Sequence, residues 1–421
     1  MTGPPGRMTR MVESVSPQRV TPSATGAPEA SNPTPPQPHS SRLAALDVLR
    51  GIAILGTLGT NIWIFTNAEG LLGYFAHSDE PDGAWLWAER FLQQLAQGKF
   101  LGLLTIMFGI GLAIQQRSAV KSGRRWPGGY PIRAGLLFLD GLLNFFLVAE
   151  FDVLMGYAVT GLVVAFVLAT SPKAQRRWLI VAASIHVTML SLLAVAMAFA
   201  PAGDAPAREP LDPNPYADGS FWDLVVFRWE HLLVFRLEPI LIFPMSIALF
   251  LLGARLYRAG VFLPEGARIR KRLMIIGFAV AAPLDLALGM IGGDLIVFTR
   301  YGLAPFVAMG ILALVAELYV RRPAPGLVGR RFAEVGRMAL SCYILQNLVA
   351  GAICYGWGLG LAELVSPNAR VPFTVGVYLL VSALMLVFAH LWLRRFERGP
   401  VEWLWNASYR ALTERRQPAA A

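Results

Sequence analysis

The segment Arg42-Leu-Ala-Ala-Leu-Asp47-Val-Leu-Arg50-Gly51 opens an apolar stretch that continues to Phe65. A run of about 20 apolar residues is long enough to cross the hydrocarbon core of a bilayer as one helix. Asp47 and Arg50 lie one helical turn apart, so their opposite charges can pair on one face of that helix. The segment therefore predicts a membrane-spanning helix that begins with an ion pair.

Polar side chains continue along the same face of this helix. Asn61 follows Arg50 by three turns plus about 20°, and Thr57 lies one turn before Asn61. Polar residues at membrane depth are costly, so they face the interior of a bundle or a hydrated cavity. Two interpretations stay open: an interfacial ion pair with an asparagine that joins two helices, or a wet cavity bordered by the whole face.

The composition of the whole chain is typical of a multi-pass membrane protein. Hydrophobic residues make up 55% of the 421 residues and charged residues 15%, and the mean hydropathy is +0.51. Apolar stretches of about 20 residues recur along the chain, a pattern that soluble proteins do not show. They predict an all-α, polytopic transmembrane helical bundle of about ten spans, at 46–65, 96–115, 132–149, 153–170, 178–199, 239–257, 273–292, 301–320, 335–355 and 372–393.

Basic residues are concentrated in every second connection between these stretches, while the other connections are mainly acidic or short of charge. Positively charged connections remain in the cytoplasm, so this alternation predicts an even number of spans with both termini cytoplasmic. The same clusters account for the net charge of +10. A nucleic-acid partner is therefore not predicted, and the expected partner is the lipid bilayer.

Composition also predicts how the chain is divided. Residues 1–41 are rich in Pro, Ser and Thr and contain no apolar run, which is typical of a disordered cytoplasmic tail. Residues 42–395 form the predicted transmembrane domain, with the charged first-helix motif at 42–65. Residues 396–421 combine tryptophan with arginine and predict a basic, amphipathic cytoplasmic tail at the headgroup layer.

Further polar residues inside the predicted spans are candidates for a functional cavity. Arg133, Asp140 and Asn144 lie within about 40° of one face of the third predicted helix. A carboxylate near the middle of a bilayer needs a cation, a proton or water beside it. Each of these residues, taken alone, can also serve as a hydrogen bond to a neighbouring helix. The predicted cavity comprises Asp47, Arg50, Asn61, Arg133, Asp140, Asn144, Asp152 and Gln346.

His77 is the candidate general base, in the first loop predicted to face outward. It lies close to Asp79 and Glu80, and an imidazole beside a carboxylate is suited to proton transfer near neutral pH. The alternative is an ordinary exposed loop histidine. The sequence contains no nucleophile elbow, Walker loop, dinucleotide fingerprint or zinc-protease motif, so neither a bound cofactor nor a metal is predicted.

Several short motifs are distributed along the chain, from the first span to the C-terminal tail. They are Leu46-Asp47-x-Leu-Arg50-Gly51-Ile52-Ala53, Lys99-Phe100, Phe108-Gly109-Ile110-Gly111, Asp152-Val153-Leu154 with Tyr157, Val335-Gly336-Arg337-Met338-Ala339-Leu340-Ser341-x-Tyr343-x-x-Gln346 and Phe396-x-Arg398-Gly399-Pro400-x-Glu402-Trp403. With these motifs the chain resembles the YeiB-type family of bacterial membrane proteins. The resemblance implies a multi-pass protein of the bacterial plasma membrane, with a domain of unknown function at about 239–405.

The YeiB-type family is in turn similar to the larger transmembrane acyltransferase superfamily. That resemblance implies a bundle of about ten spans that passes an acyl group from cytoplasmic acyl-CoA to an extracytoplasmic glycan. It also implies that Arg50 is the arginine of the first-helix motif. Asn61 and Asn144 stand where many acyltransferases have histidine, and an amide cannot accept and return a proton near neutral pH.

Two alternative functions are therefore expected. In an acyltransferase-like enzyme, Arg50 and Arg133 hold the phosphates of acyl-CoA, since guanidinium groups suit phosphate. His77 then deprotonates the acceptor, which is an envelope glycan or a lipid-linked molecule outside the membrane. The alternative is a membrane transporter or channel for a small solute. Its path would be lined by Asp140, Asn144, Asp285 and Gln346.

Overall fold

The computed structural model describes residues 38–76, 81–199, 210–322, 324 and 326–414, with residues 1 and 3. Every regular element within these residues is a helix, as the apolar pattern predicts. The candidate base His77 and most of the predicted tails, residues 4–37 and 415–421, lie outside the described residues. The predictions made for them stay predictions.

The described part of the chain contains eighteen α-helices, numbered here in chain order. The first nine are α1 (Pro38–Phe65), α2 (Gly70–Ala76), α3 (Ala84–Ala96), α4 (Lys99–Lys121), α5 (Tyr130–Leu147), α6 (Leu154–Leu168), α7 (Pro172–Ala198), α8 (Phe221–Glu230) and α9 (Leu232–Leu241). The others are α10 (Phe243–Arg258), α11 (Ala267–Met274), α12 (Ala282–Ile291), α13 (Leu295–Phe298), α14 (Ala304–Arg321), α15 (Leu327–Arg337), α16 (Ala339–Cys354), α17 (Pro367–Trp392) and α18 (Pro400–Glu414). Two π-helical segments, Ile275–Ala281 and Thr299–Leu303, continue into α12 and α14.

The structure confirms an all-helical protein with several apolar helices, and the prediction of about ten spans stays a prediction. Among the described residues, seven helical segments are long and apolar enough to cross a membrane, and two bent helix pairs raise that number to nine. The bent pairs are α9 with α10, at 43°, and α15 with α16, at 88°. The stretch predicted at 153–170 forms α6, whose 15 residues are fewer than a span ordinarily needs. Hydropathy locates the apolar runs, but breaks and short helices decide which of them can span.

Helix α1 lies at the centre of the bundle, where it packs against α4, α14, α15, α16 and α17. Its apolar window is 78% buried in protein, whereas that of α7 is only 6% buried. The apolar side chains of α7 are therefore free to face lipid, while α1 is shielded from it. This position explains how α1 carries charged and polar residues, because a bundle interior can pair or hydrate them.

Glycines allow the central helices to approach one another closely. A Cβ atom added at Gly51 or Gly336 would lie 2.0 Å or 1.8 Å from a backbone oxygen of the facing helix, which brings α1 against α15. Gly109 and Gly253 join α4 to α10 in the same way, with distances of 2.0 Å and 2.2 Å. Small residues at such contacts are the usual means by which membrane helices pack. Three of these glycines belong to the motifs quoted above, so those motifs include a packing function.

Candidate functional site

A cavity of about 410 Å³ lies at the end of the bundle where α5 and α16 begin, beside the middle of α1. Its walls are mostly apolar and include Ile54, Leu104, Met107, Phe108, Leu112, Leu137, Leu154 and Leu340. Three guanidinium groups also line it, those of Arg50, Arg133 and Arg337. We call it the arginine cavity. Apolar walls combined with arginines are suited to an elongated molecule that has an apolar chain and an anionic group.

Arg50 enters this cavity from α1 and is held by its predicted partner. Its Nη1 atom donates to Asp47 Oδ1 at 3.0 Å, which confirms the predicted pair. The side chain of Arg50 remains 39% exposed, so much of the guanidinium is accessible. The rest of the predicted polar face lies elsewhere, because Thr57 and Asn61 border a separate cavity of about 30 Å³.

Arg133 forms the opposite wall together with α18. Its guanidinium donates to Gln115 Oε1 at 3.1 Å and lies over the ring of Tyr409, 4.4 Å from the centroid. The ring of Trp405 stacks on Tyr409 with the two planes 10° apart. The C-terminal segment, predicted to lie at the headgroup layer, thus supplies a helix that borders the arginine cavity.

A second cavity of about 380 Å³ adjoins the first and shares Gln115, Tyr130 and Arg133 with it. It adds the guanidinium groups of Arg124 and Arg125, which lie on the connection between α4 and α5. Five arginines therefore border two neighbouring cavities at one end of the bundle. Such a concentration of positive charge attracts phosphate groups and orients them through charge-assisted hydrogen bonds.

Glu402 fixes α18 to the start of α16. Its Oε1 atom accepts hydrogen bonds from the backbone N–H groups of Leu340, at 2.7 Å, and Ser341, at 3.1 Å. Its Oε2 atom accepts from the Ser341 hydroxyl. The first N–H groups of a helix have no partner within the helix, so the carboxylate satisfies two of them. Gly399 leaves room for this contact, since a Cβ there would lie 2.1 Å from Glu402 Oε2.

We expect Glu402→Ala to release α18 from α16. Hydrogen bonds to a charged group contribute about 1.5–3 kcal/mol, so exchange of the Leu340 and Ser341 amides should accelerate at least about tenfold. Hydrogen exchange measured by mass spectrometry checks this, together with trypsin cleavage at Arg410. The matched control is Glu397→Ala, which removes an exposed carboxylate five residues earlier. Equal exchange in the two variants would contradict the assignment.

Asn144 and Asp152 lie together, but not in the arginine cavity. Asn144 Nδ2 donates to Asp152 Oδ1 at 2.9 Å, and the Met155 N–H donates to Oδ2 at 3.1 Å. Both side chains are buried, and Arg236 donates to the Asp152 carbonyl oxygen at 3.2 Å. This network holds α5 to the start of α6. Asp140 is only half-buried, and its Oδ2 atom has no hydrogen-bond partner among the described residues.

Gln346 and Asp285 join helices to one another. Gln346 Nε2 donates to the Ile54 carbonyl oxygen at 3.3 Å and so holds α16 against α1. Asp285 pairs with Lys99 at 2.5 Å, and both side chains are buried. The predicted set of cavity residues is therefore divided. Arg50, paired with Asp47, shares the arginine cavity with Arg133, and Asn61 borders a smaller cavity. Asn144, Asp152 and Gln346 join helices, and Asp140 borders neither cavity.

Sequence reasoning did not single out three residues of this site, namely Gln115, Arg337 and Glu402. Arg337 and Glu402 belong to the motifs that carry the family resemblance. A charged residue fixed within such a motif, next to an apolar span, is the signal that points to them. Gln115 offers no comparable signal. Within the described residues, no group of three or more His, Cys, Asp or Glu residues is arranged to hold a metal ion.

Comparison with known proteins supports the family resemblance seen in the sequence motifs. Residues 256–411 match the family described as "Protein of unknown function (DUF418)", a segment that starts near the end of α10 and ends in α18. The chain is similar to the uncharacterised protein YxaH of Bacillus subtilis, at 29% identity over 394 residues that cover 88% of this chain and 94% of the relative. It is also similar to the uncharacterised protein YeiB of Escherichia coli, at 29% identity over 386 residues that cover 87% and 95%. The C-terminal part of the chain thus matches the DUF418 family, and over most of its length the chain is similar to YxaH and YeiB, in agreement with the resemblance to YeiB-type proteins.

Proposed function

We propose that the protein is an acyltransferase-like membrane enzyme whose acyl donor, acyl-CoA, binds in the arginine cavity. The observation that carries this proposal is the combination of apolar walls with three arginines in a volume of about 410 Å³. Ligand pockets of drug-sized molecules have volumes of about 300–1,000 Å³. The apolar walls suit the acyl chain, and Arg50, Arg133 and Arg337 suit the phosphates.

The distribution of charge supports an orientation for this reaction. The arginine cavity lies at the end of the bundle that carries the basic connections, which the positive-inside rule assigns to the cytoplasm. In the bacterial plasma membrane, with both termini cytoplasmic, acyl-CoA would then reach the cavity directly. The acceptor, an envelope glycan or a lipid-linked molecule, would approach from the opposite end.

The transporter alternative has less support from the described contacts. Three of the four residues expected to line a solute path are already engaged: Asp285 with Lys99, Asn144 with Asp152, and Gln346 with the Ile54 carbonyl group. A residue that coordinates a passing solute needs its polar atoms free at least part of the time. These contacts favour a helix-joining function for the three side chains, so the enzyme remains the better interpretation.

The proposal is tested by the binding of palmitoyl-CoA to purified protein in nanodiscs, measured by calorimetry. We expect Arg50→Ala and Arg133→Ala each to weaken binding about 10-fold or more, because each removes a charged hydrogen bond of about 1.5–3 kcal/mol. The control is Arg176→Ala, an exposed arginine that does not border the arginine cavity. It should bind like the wild type.

Two results would overturn the proposal. One is the absence of palmitoyl-CoA binding to the wild-type protein. The other is an equal loss of affinity in Arg176→Ala, which would reduce the effect to general surface charge. A deletion strain with altered solute uptake and unchanged acylation of the envelope would support the transporter instead.

A further inference from the structure

Three interruptions of regular helix meet around the small cavity of about 30 Å³. Helix α9 contains Pro239 and is followed by the 43° bend into α10. Gly98 separates α3 from α4 with φ of +71°, and a Cβ there would lie 2.4 Å from the Arg300 carbonyl oxygen. Arg300 itself belongs to the π-helical segment Thr299–Leu303. Irregular backbone at membrane depth is tolerated where it is buried or borders a cavity, and π-helical turns are frequent at functional sites.

These interruptions bring four polar side chains together. Glu238 Oε1 accepts hydrogen bonds from Arg300 Nη2 and from the Tyr301 hydroxyl, each at 2.7 Å. Arg300 Nη1 also donates to Gln97 Oε1 at 3.2 Å. Glu238 and Arg300 both border the small cavity, so the carboxylate is accessible from it. A cavity of about 30 Å³ is large enough to hold a water molecule.

The small cavity has further polar groups on its wall. Asn61 borders it, and the Asn61 side chain makes no hydrogen bond to another described residue, so its amide is available to a bound group. Tyr343 borders it from α16, and Thr57 and Thr60 border it from α1. A carboxylate, a guanidinium, an amide and a phenol therefore surround a space that holds about one small functional group.

The small cavity lies between the cavities at the two ends of the bundle. Tyr343 borders both the small cavity and the arginine cavity. Arg300 borders both the small cavity and a third cavity of about 170 Å³, at the end of the bundle where α1 ends. The small cavity thus shares one wall residue with the cavity at each end of the bundle.

We propose that the small cavity is the reaction centre and that Glu238 is its general base, an inference that rests on the acyl transfer proposed above. The acceptor hydroxyl oxygen attacks the thioester carbonyl carbon, so a C–O bond forms and the C–S bond breaks. The hydroxyl proton passes to the Glu238 carboxylate and then to the departing thiolate. The products are an ester and free CoA, and the carboxylate is restored.

The neighbouring groups suit the other requirements of this step. The Arg300 guanidinium, bonded to Glu238, holds the carboxylate in place, which makes Arg300 a positioning residue. The Asn61 amide and the Tyr343 hydroxyl are hydrogen-bond donors on the cavity wall, where the carbonyl oxygen acquires negative charge. In this reaction Asn61 donates a hydrogen bond, a function for which an amide is suited. Because Glu238 is the base, the reaction does not need a histidine at position 61.

The test is chemical rescue of Glu238→Gln. Release of CoA thiol from palmitoyl-CoA is measured in nanodiscs with octyl glucoside as the hydroxyl acceptor, after subtraction of the uncatalysed rate. We expect a loss of about 10²–10⁴-fold, the usual contribution of a general base. Hydroxylamine attacks thioesters without a base, so it should restore most of the rate, while affinity for palmitoyl-CoA stays unchanged. The control is Glu230→Gln, an exposed carboxylate near the end of α8, which should release thiol at the wild-type rate.

A merely structural ion pair gives a different pattern. In that case Glu238→Gln either keeps the wild-type rate or loses activity that hydroxylamine does not restore, and both results overturn the inference.

If Glu238→Gln does not assemble, Glu238→Asp replaces it. This variant should bind palmitoyl-CoA normally but release thiol at least about tenfold more slowly. An unchanged rate overturns the inference. Wild-type protein that neither binds palmitoyl-CoA nor releases thiol defeats the proposed function itself. Wild-type release combined with a normal Glu238→Gln rate defeats only the assignment of the base.

Discussion

Gly336→Ala should leave little folded protein in the membrane. A Cβ at Gly336 would lie 1.8 Å from the Asp47 carbonyl oxygen and 2.9 Å from the Gly51 nitrogen. Both are backbone atoms of the central helix, so no side chain can rotate to relieve the overlap. Overpacking a core costs about 1–3 kcal/mol even where side chains adjust, and here α1 and α15 must separate. The gain of about 1 kcal/mol in helix propensity from alanine is too small to compensate.

The measurement is the yield of monodisperse protein after extraction, with its thermal unfolding midpoint. Gly376→Ala is the matched control, because it makes the same substitution in α17 with nothing within 4 Å of the added atom. It should keep the wild-type yield and midpoint. A normal yield and midpoint for Gly336→Ala would show that α1 and α15 do not pack as described.

Arg228→Ala should lower the free energy of unfolding by about 3–5 kcal/mol, the usual cost of breaking a buried ion pair. Arg228 Nε lies 3.2 Å from Glu150 Oε2, with the two side chains 2% and 0% exposed. The guanidinium also donates to the carbonyl oxygens of Phe146, at 2.9 Å, and Val148, at 3.2 Å. Alanine leaves the Glu150 charge buried, and the Tyr216 hydroxyl, at 3.0 Å, is then its one remaining side-chain partner among the described residues.

The thermal unfolding midpoint in detergent checks this prediction. Arg176→Ala serves as the control, since it removes an exposed arginine and should change stability by less than about 0.5 kcal/mol. The double variant Glu150→Gln with Arg228→Met should be more stable than Arg228→Ala, because it removes both charges. A loss below about 1 kcal/mol in Arg228→Ala would mean that water reaches Glu150.

The pairing of Asn144 with Asp152 illustrates where helical geometry is a poor guide. Their separation of eight residues spans the break between α5 and α6, so a helical wheel does not relate them. The wheel instead places Asn144 near Arg133 and Asp140, on one face of α5. Which of these neighbours Asn144 bonds to depends on the path of the connection between α5 and α6. That path is decided by the contacts of Glu150 and Asp152 with arginines of α8 and α9.

The arginine cavity was predicted only in part, because some of its residues are brought together by angles between helices. Arg50 and Arg133 each begin an apolar helix on the same side, so their proximity follows from the alternation of the spans. Arg337 and Glu402 join them because α15 and α16 meet at 88° and α18 is bonded to the start of α16. Hydropathy contains no information about that angle.

The sequence by itself determined what depends on neighbours along the chain: the helical membrane class, the position of the apolar helices and the pair of Asp47 with Arg50. Apolar length and one-turn spacing are local quantities, so they can be read without the fold. Only the tertiary structure decided that Glu238 meets Arg300, 62 residues away. Such contacts depend on bends and π-helical turns, whose positions result from packing between helices.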